Sequence, residues 1–213
     1  MSQKKKNTRL TTPTVRAEFP YLNKPDTQFN PDGEYKVNGL ISREQAQDFL
    51  AKIDEEVDAH YNAVYNKANA KKKKKLIKHY PYEDKLDPET EEPTGEVRIK
   101  TKLPAKIKKD DGEEVHLEPR LFDKKGNTLD INNDFIRMNS LIRIAVELRP
   151  YSINSTGMTG ITLQLKAVQV REFASGASAE SFGFDTEEDE GDDVPEAPAG
   201  DDDNDEDEDQ GDF

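Results

Sequence analysis

Hydrophobic residues recur along this chain at two spacings, which separate strands from a helix. In 14–22, Val15, Ala17, Phe19 and Tyr21 alternate with polar neighbours, a strand pattern that accommodates Pro20 near a sheet edge. The turn sequence Asn30-Pro31-Asp32-Gly33 leads into 34–41, where Tyr35, Val37 and Gly39 share one face of a second strand. The period then changes. Ser42, with Gln45 three positions on, has the form of a capping box. Beyond it Ala46, Phe49, Leu50, Ile53, Val57, Tyr61, Val64, Tyr65 and Ala68 recur at three- and four-residue steps. That stripe predicts one long helix over about 43–70. It runs into five lysines at 71–75, where cations favour the negative end of a helix dipole.

Residues 79–95 are acidic and rich in Pro, and read as a long loop. Alternation returns at 97–103, with Val97, Ile99, Thr101 and Leu103 on one face and Arg98, Lys100 and Lys102 on the other. A turn at 108–113 precedes Val115, Leu117, Pro119 and Leu121, and 123–127 reads as a hairpin turn into 128–131. In 141–151, Ile142, Ile144, Val146 and Leu148 oppose Leu141, Arg143, Ala145, Glu147, Arg149 and Tyr151. After a loop expected at 152–160, Ile161, Leu163 and Leu165 hold one parity and Val168 and Val170 the other. Such a switch predicts a β-bulge near Ala167. Short strands with one long helix predict a mainly β fold, a small antiparallel barrel with a helical insertion.

Charge divides the chain more sharply than hydropathy does. All 31 Lys and Arg lie at or before Arg171, whereas residues 174–213 hold eighteen of the 45 Asp and Glu. With 27 acidic residues against 31 basic ones, residues 1–173 carry +4 and the tail −18, which together give the net −14. Like charges this dense repel and bury no apolar surface, so the tail is expected to be disordered. The expected organisation is a basic flexible arm over 1–13, a folded domain over 14–173 and an acidic tail over 174–213. The chain has no Cys, hence no disulfide framework, thiol nucleophile or Cys-based zinc site. A basic N-terminus without a following apolar run, and no continuous membrane-length stretch, lead to the expectation of a soluble intracellular protein with no membrane partner.

The chemistry points to binding rather than catalysis. His60, His79 and His116 are scattered at spacings that suit no metal, and no phosphate-cradling Gly motif or serine elbow occurs. No cofactor and no metal are expected. Arg98, Lys100 and Lys102 on one strand face, and Arg143, Arg149 and Tyr151 on another, offer cations with an aromatic on an exposed sheet. Basic groups attract phosphates and a ring stacks on any base, so this is what a single strand of nucleic acid requires. Outward Lys and Arg also serve plain solubility. A polyanion tethered to such a body is an intramolecular competitor at an effective concentration near millimolar. An acidic chaperone or DNA mimic, whose tail does the binding, is the alternative of a different class; RNA in place of DNA is another.

Several motifs then align in order. Residues 21–26 (YLNKPD), 30–37 (NPDGEYKV), the 123–127 turn, Arg149-Pro150-Tyr151 and the ending Gly211-Asp212-Phe213 resemble the single-stranded DNA-binding proteins of T-odd-type bacteriophages across essentially the whole chain. The resemblance implies an OB-fold Greek-key barrel that coats single-stranded DNA during phage replication, recombination and repair in the cytoplasm of the infected bacterium. It places the basic strand positions on Lys100 and Arg143 and the stacking tyrosine on Tyr151. It also implies that the tail contacts replication proteins such as DNA polymerase and helicase-primase, through Asp207, Glu208, Asp209, Asp212 and the terminal Phe213. The tail would further cover the DNA groove of its own body or of a dimer mate, giving a homodimer through tail exchange. One position departs from the pattern: Asp32, acidic where a cation would suit phosphate contact.

Overall fold

The computed structural model describes residues 7–109, 111–130 and 132–175. Strands β1 (Arg9–Thr11), β2 (Val15–Asp26) and β3 (Glu34–Ser42) precede helix α1 (Arg43–Lys67) and the short α2 (Ala70–Lys73). Then come β4 (Ile77–His79), β5 (Tyr82–Leu86), β6 (Pro93–Pro104), β7 (Lys106–Lys108), β8 (Glu114–His116) and β9 (Arg120–Phe122). The long strands β10 (Leu141–Ser152) and β11 (Met158–Glu172) complete the order.

Five strands close on themselves. β2 pairs with β3, β3 with β6, β6 with β11, β11 with β10, and β10 returns to β2. All of these pairings are antiparallel except β6 with β11. The remaining strands lie along the edges of this ring: β1 on β10, β5 on β6, and β4 and β9 on β11, while β7 and β8 form a separate hairpin. The alternation expected from sequence lines the interior. Val97, Ile99 and Leu103 of β6, Ile142, Ile144, Val146 and Leu148 of β10, and Leu163 and Leu165 of β11 are buried. The parity switch in β11 is a bulge: Ala167 faces Ala145 but Leu165 faces Val146, leaving Lys166 as the extra residue.

The Ser42 hydroxyl caps α1 by accepting the Gln45 N–H at 3.3 Å. Ala46, Phe49, Leu50, Ile53 and Val57 bury the first half of the predicted stripe. Tyr61, Val64 and Tyr65 do not enter the core. A 25-residue helix is roughly 37 Å long, and its later turns run beyond the buried contact. There Lys73 Nζ sits 4.7 Å from the Tyr65 ring centroid and Lys78 Nζ 5.3 Å from that of Tyr61. The helix also stops earlier than predicted. Ala68 is extended, and the Asn69 side chain accepts the Lys72 N–H at 2.9 Å to begin α2, so the lysine run occupies its own turn rather than the end of α1.

Five other segments depart from the sequence reading. Part of the expected basic arm is strand: Leu10 pairs with Val146, and buried Thr12 exchanges hydrogen bonds with Ile144. Residues 1–6 lie outside the described residues. The loop expected at 79–95 is mostly the β5–β6 hairpin. Polar pairs hold it, with Tyr82 donating to Asp54 at 2.6 Å, Arg43 to Asp84 at 2.5 Å and Arg98 to Glu83 at 3.0 Å. Burial, and Asp54 beside it, push the Tyr82 hydroxyl well above the usual phenol range. Hydrophobic periodicity has no access to such a hairpin. In β2, Phe19 and Pro20 together face only Val37, and Phe19 takes φ +49, so the bulge turns Phe19 and Tyr21 outward from the core row of Val15 and Ala17. The hairpin predicted into 128–131 reduces to one bridge, Phe122 with Thr128, and the 152–160 loop to a turn before Met158.

The uneven burial of α1 has a measurable consequence. Ile53→Ala should cost about 2–5 kcal/mol of stability in urea denaturation. Tyr65→Ala, which loses only exposed ring contacts with Tyr61 and Lys73, should cost less than about 1 kcal/mol.

Candidate nucleic-acid interface

The outward rows of neighbouring strands assemble the site. Lys36 of β3 is the register partner of Lys102 on β6, and Asn38 that of Lys100, so the cations stand side by side. On the far edge of β6, Gln164 of β11 pairs with Lys102. Across β11, Gly160 lies between Tyr151 of β10 and His79 of β4. A Cβ on Gly160 would fall 2.1 Å from the His79 carbonyl oxygen. This bare position lets β4 close in, and the Tyr151 hydroxyl reaches His79 Nδ1 at 2.7 Å. Together Lys36, Lys100, Lys102, His79, Pro81 and Tyr151 line a cleft of about 290 Å³ whose apolar residues include Ile161 and Leu163.

Tyr151 is held at both ends. Besides the hydroxyl contact, its carbonyl accepts from His60 Nε2 at 3.0 Å, which fixes the proton on that nitrogen. Its ring meets His79 edge-on at 6.2 Å between centroids. Burial raises the phenol's pKa, so the ring is neutral at physiological pH.

The cations carry carboxylate partners. Lys36 pairs with Asp26 at 2.5 Å, Lys102 with Glu34 at 3.4 Å, Arg149 with Glu147 at 2.6 Å, and Lys100 with Glu83. Lys100, Lys102 and Arg149 are about half exposed, and an exposed pair contributes only about 0–1 kcal/mol. A phosphate can take the place of such a carboxylate at little cost. Arg98 differs. It bridges Glu18 at 2.5 Å and Glu83 at 3.0 Å with the Glu18 side chain 10% exposed. The Glu18 hydrogen bond, against the cost of burial, holds its pKa above the usual guanidinium value, so Arg98 belongs to the scaffold.

The structure therefore gathers Lys100, Lys102 and Tyr151 into one groove. It places Arg149 at the border, where its Nε donates to Gln164 at 3.0 Å. Arg143 is not brought in. It lies eight positions before Tyr151 in the same outward row, roughly 27 Å away, and its Nε lies 3.4 Å from the Thr12 carbonyl oxygen. Lys36, His79 and outward Tyr21, whose ring centroid is 4.9 Å from Lys36 Nζ, were missed by the sequence reading. Lys36 had a signal in its alternation with Tyr35 and Val37; His79 had none, because its place depends on parallel pairing to β11. Asp32 sits exposed in the 30–33 turn, accepting no role in the groove lining. Asp207, Glu208, Asp209, Asp212 and Phe213, and the disorder expected of the tail, lie outside the described residues. Among the described residues no group of three or more His, Asp or Glu could hold a metal ion, and no helix is long and apolar enough to cross a membrane.

A closed, mainly β domain with a long helix, whose outer face carries a cationic groove with an anchored ring beside it, defines a class of nucleic-acid-binding proteins. The family model of the single-stranded DNA-binding protein of bacteriophage T7 matches residues 14–173, and the chain belongs to that family. The family is one of DNA-binding proteins, not an enzyme class. The crystal structure of gp2.5, the single-stranded DNA-binding protein encoded by bacteriophage T7, is similar with a TM-score of 0.66 at 24% identity, over 87% of this chain and 97% of that one. The single-stranded DNA-binding protein of bacteriophage Enc34, solved in complex with single-stranded DNA, is similar with a TM-score of 0.54 at 16% identity, over 83% of this chain and 97% of that one. A second structure of the bacteriophage Enc34 protein is similar with a TM-score of 0.52 at 17% identity, over 86% of this chain and 97% of that one. No curated protein sequence matches.

The Glu83 pairs make stability depend on acidity. The Lys100 hydrogen bond, against some burial and helped by Arg98, holds the Glu83 carboxyl below its usual range. A lowered folded-state pKa gives stabilisation that is present above the unfolded value and lost as pH falls through the folded one. Thermal melts from about pH 7 down to about pH 3 should therefore show a shallower decline for Glu83→Gln than for the wild type.

Proposed function

We propose that this protein coats single-stranded DNA with little sequence preference, using the groove between β3, β6 and Tyr151. The observation that carries this reading is the juxtaposition of Lys36, Lys100 and Lys102 with an anchored aromatic ring in one cleft. The lysines neutralise phosphates, Arg149 adds a charge at the border, and Tyr151 stacks a base. Arg98 acts through Glu83 and Glu18 rather than on the strand, and Arg143 stands apart. The strand order β2-β3-β6-β11-β10, with β6 and β11 parallel, is taken as an OB-type barrel. The work of such a protein is the protection of exposed strands during phage DNA replication, recombination and repair in the host cytoplasm. Its tail competes with DNA for the cations through its charge and recruits replication proteins such as polymerase and helicase-primase, with Phe213 as the apolar anchor; tail exchange between two copies would give a homodimer.

Salt-dependent titration with oligo-dT tests the reading. Lys100→Gln and Lys102→Gln should each lower the slope of log K against log salt by about 0.7, the single-strand value per phosphate. Tyr151→Ala should weaken binding by about 1–3 kcal/mol with the slope unchanged. Removing residues 174–213 should tighten binding, and unaltered affinity defeats the competitor role. Phe213→Ala should impair capture of replication proteins while leaving DNA affinity intact.

A further inference from the structure

The groove ends at His79, but the positive surface does not. β4 runs back from His79 to the lysine run, at most about 13 Å from Lys75. Ile77 and His79 alternate with Lys78, which turns to Asp58 at 2.6 Å, so Ile77 and His79 share the opposite face of the strand. Ile77 is 58% exposed there, and Ile153, on the same parity as Tyr151, is 42% exposed in the neighbouring turn. The lysine run beyond is held in place. Lys72 Nζ donates to Asn154 Oδ1 at 2.9 Å, and the Ile77 N–H donates to the Gly157 carbonyl at 3.0 Å. A Cβ on Gly157, which has φ +79, would fall 2.0 Å from the Lys75 carbonyl oxygen. The charges differ from those of the groove in one respect. Among the described residues Lys71 to Lys75 have no carboxylate partner, while Lys36, Lys100, Lys102 and Arg149 each have one.

We infer that the lysine run is a second phosphate-binding site, on which a single strand lands after passing from Tyr151 over the apolar ledge of Ile77 and Ile153. The inference rests on the single-strand reading above and extends it. Cations without a carboxylate partner take a phosphate with no ion pair to break, so the run adds its charge to the groove for any strand long enough to span both. Exposed Ile77 and Ile153 give unstacked bases an apolar surface between the two charged stretches.

The test compares the full chain with Lys74→Gln/Lys75→Gln, which spares the Lys72 and Lys73 contacts, and with Lys124→Gln/Lys125→Gln. The second pair removes equal charge from an exposed turn beside β9, at the other end of β11. Salt titrations use oligo-dT of about 5 and about 20 nucleotides, near the floor of and beyond the ~4–16-nucleotide span of one OB fold. Lys74→Gln/Lys75→Gln should lower the slope by about 1.4 on the long strand and leave the short one unchanged, while the distant pair changes neither. An unchanged slope on both lengths, equal loss on both, or the same loss from the distant pair overturns the second site. If the wild-type chain binds neither oligonucleotide, the single-strand reading itself fails, which is a different result.

Discussion

The parallel pairing of β6 to β11 is the contact on which the rest of the molecule depends. It spans only Thr101 with Leu163 and Lys102 with Gln164, yet it closes the ring. Without it the ring would open into a sheet, with the cationic row of β6 at one edge and β11, beside the aromatic end of β10, at the other. Parallel neighbours cannot be joined by a tight turn, and the long connection between these two strands carries β7, β8, β9 and β10. The same strand β11 also receives β4 and β9 in parallel, so most of the non-local order of the fold converges on one element.

The electrostatics of the groove follow from where that convergence puts acids. β5 brings Glu83 to Lys100 and Arg98, and the first residue of β3, Glu34, reaches Lys102. The exposed pairs are weak enough to exchange with a ligand of the same sign, and a ligand with many phosphates exchanges several at once. Arg98 with Glu18 is drier, and it orients Glu83 instead of competing for phosphate. Two neighbouring cations on the same face of β6, Arg98 and Lys100, thus sit in different surroundings, decided by how much water reaches their partners.

The alternating strands were largely legible in the sequence. The inward rows of β6 and β10 and the bulge at Lys166 stand where the periodicity places them, because the buried faces there are apolar apart from Thr101, whose hydroxyl donates to the Val37 carbonyl at 2.7 Å. The β5–β6 hairpin was not legible, since Tyr82, Glu83 and Asp84 are held by polar partners on α1 and β6. The outward turn of Tyr21 follows from a bulge at Phe19-Pro20 that alternation alone would have continued through. In the site, Lys100, Lys102 and Tyr151 could be picked from alternation, and the eight-residue spacing on β10 already separates Arg143 from Tyr151, but nothing local distinguishes Lys100 from Arg98. That difference comes from Glu18 on β2.

The double tether of Tyr151 has a thermodynamic meaning. A phenol on a free side chain loses rotamer freedom when a base settles on it, at about 0.5–1.5 kcal/mol for such a group. Here His79 holds the hydroxyl and His60 holds the backbone, so that ordering is completed when the domain folds. In the proposed binding mode the platform is already still when a nucleotide arrives, and its attraction for a base is correspondingly less diminished by entropy.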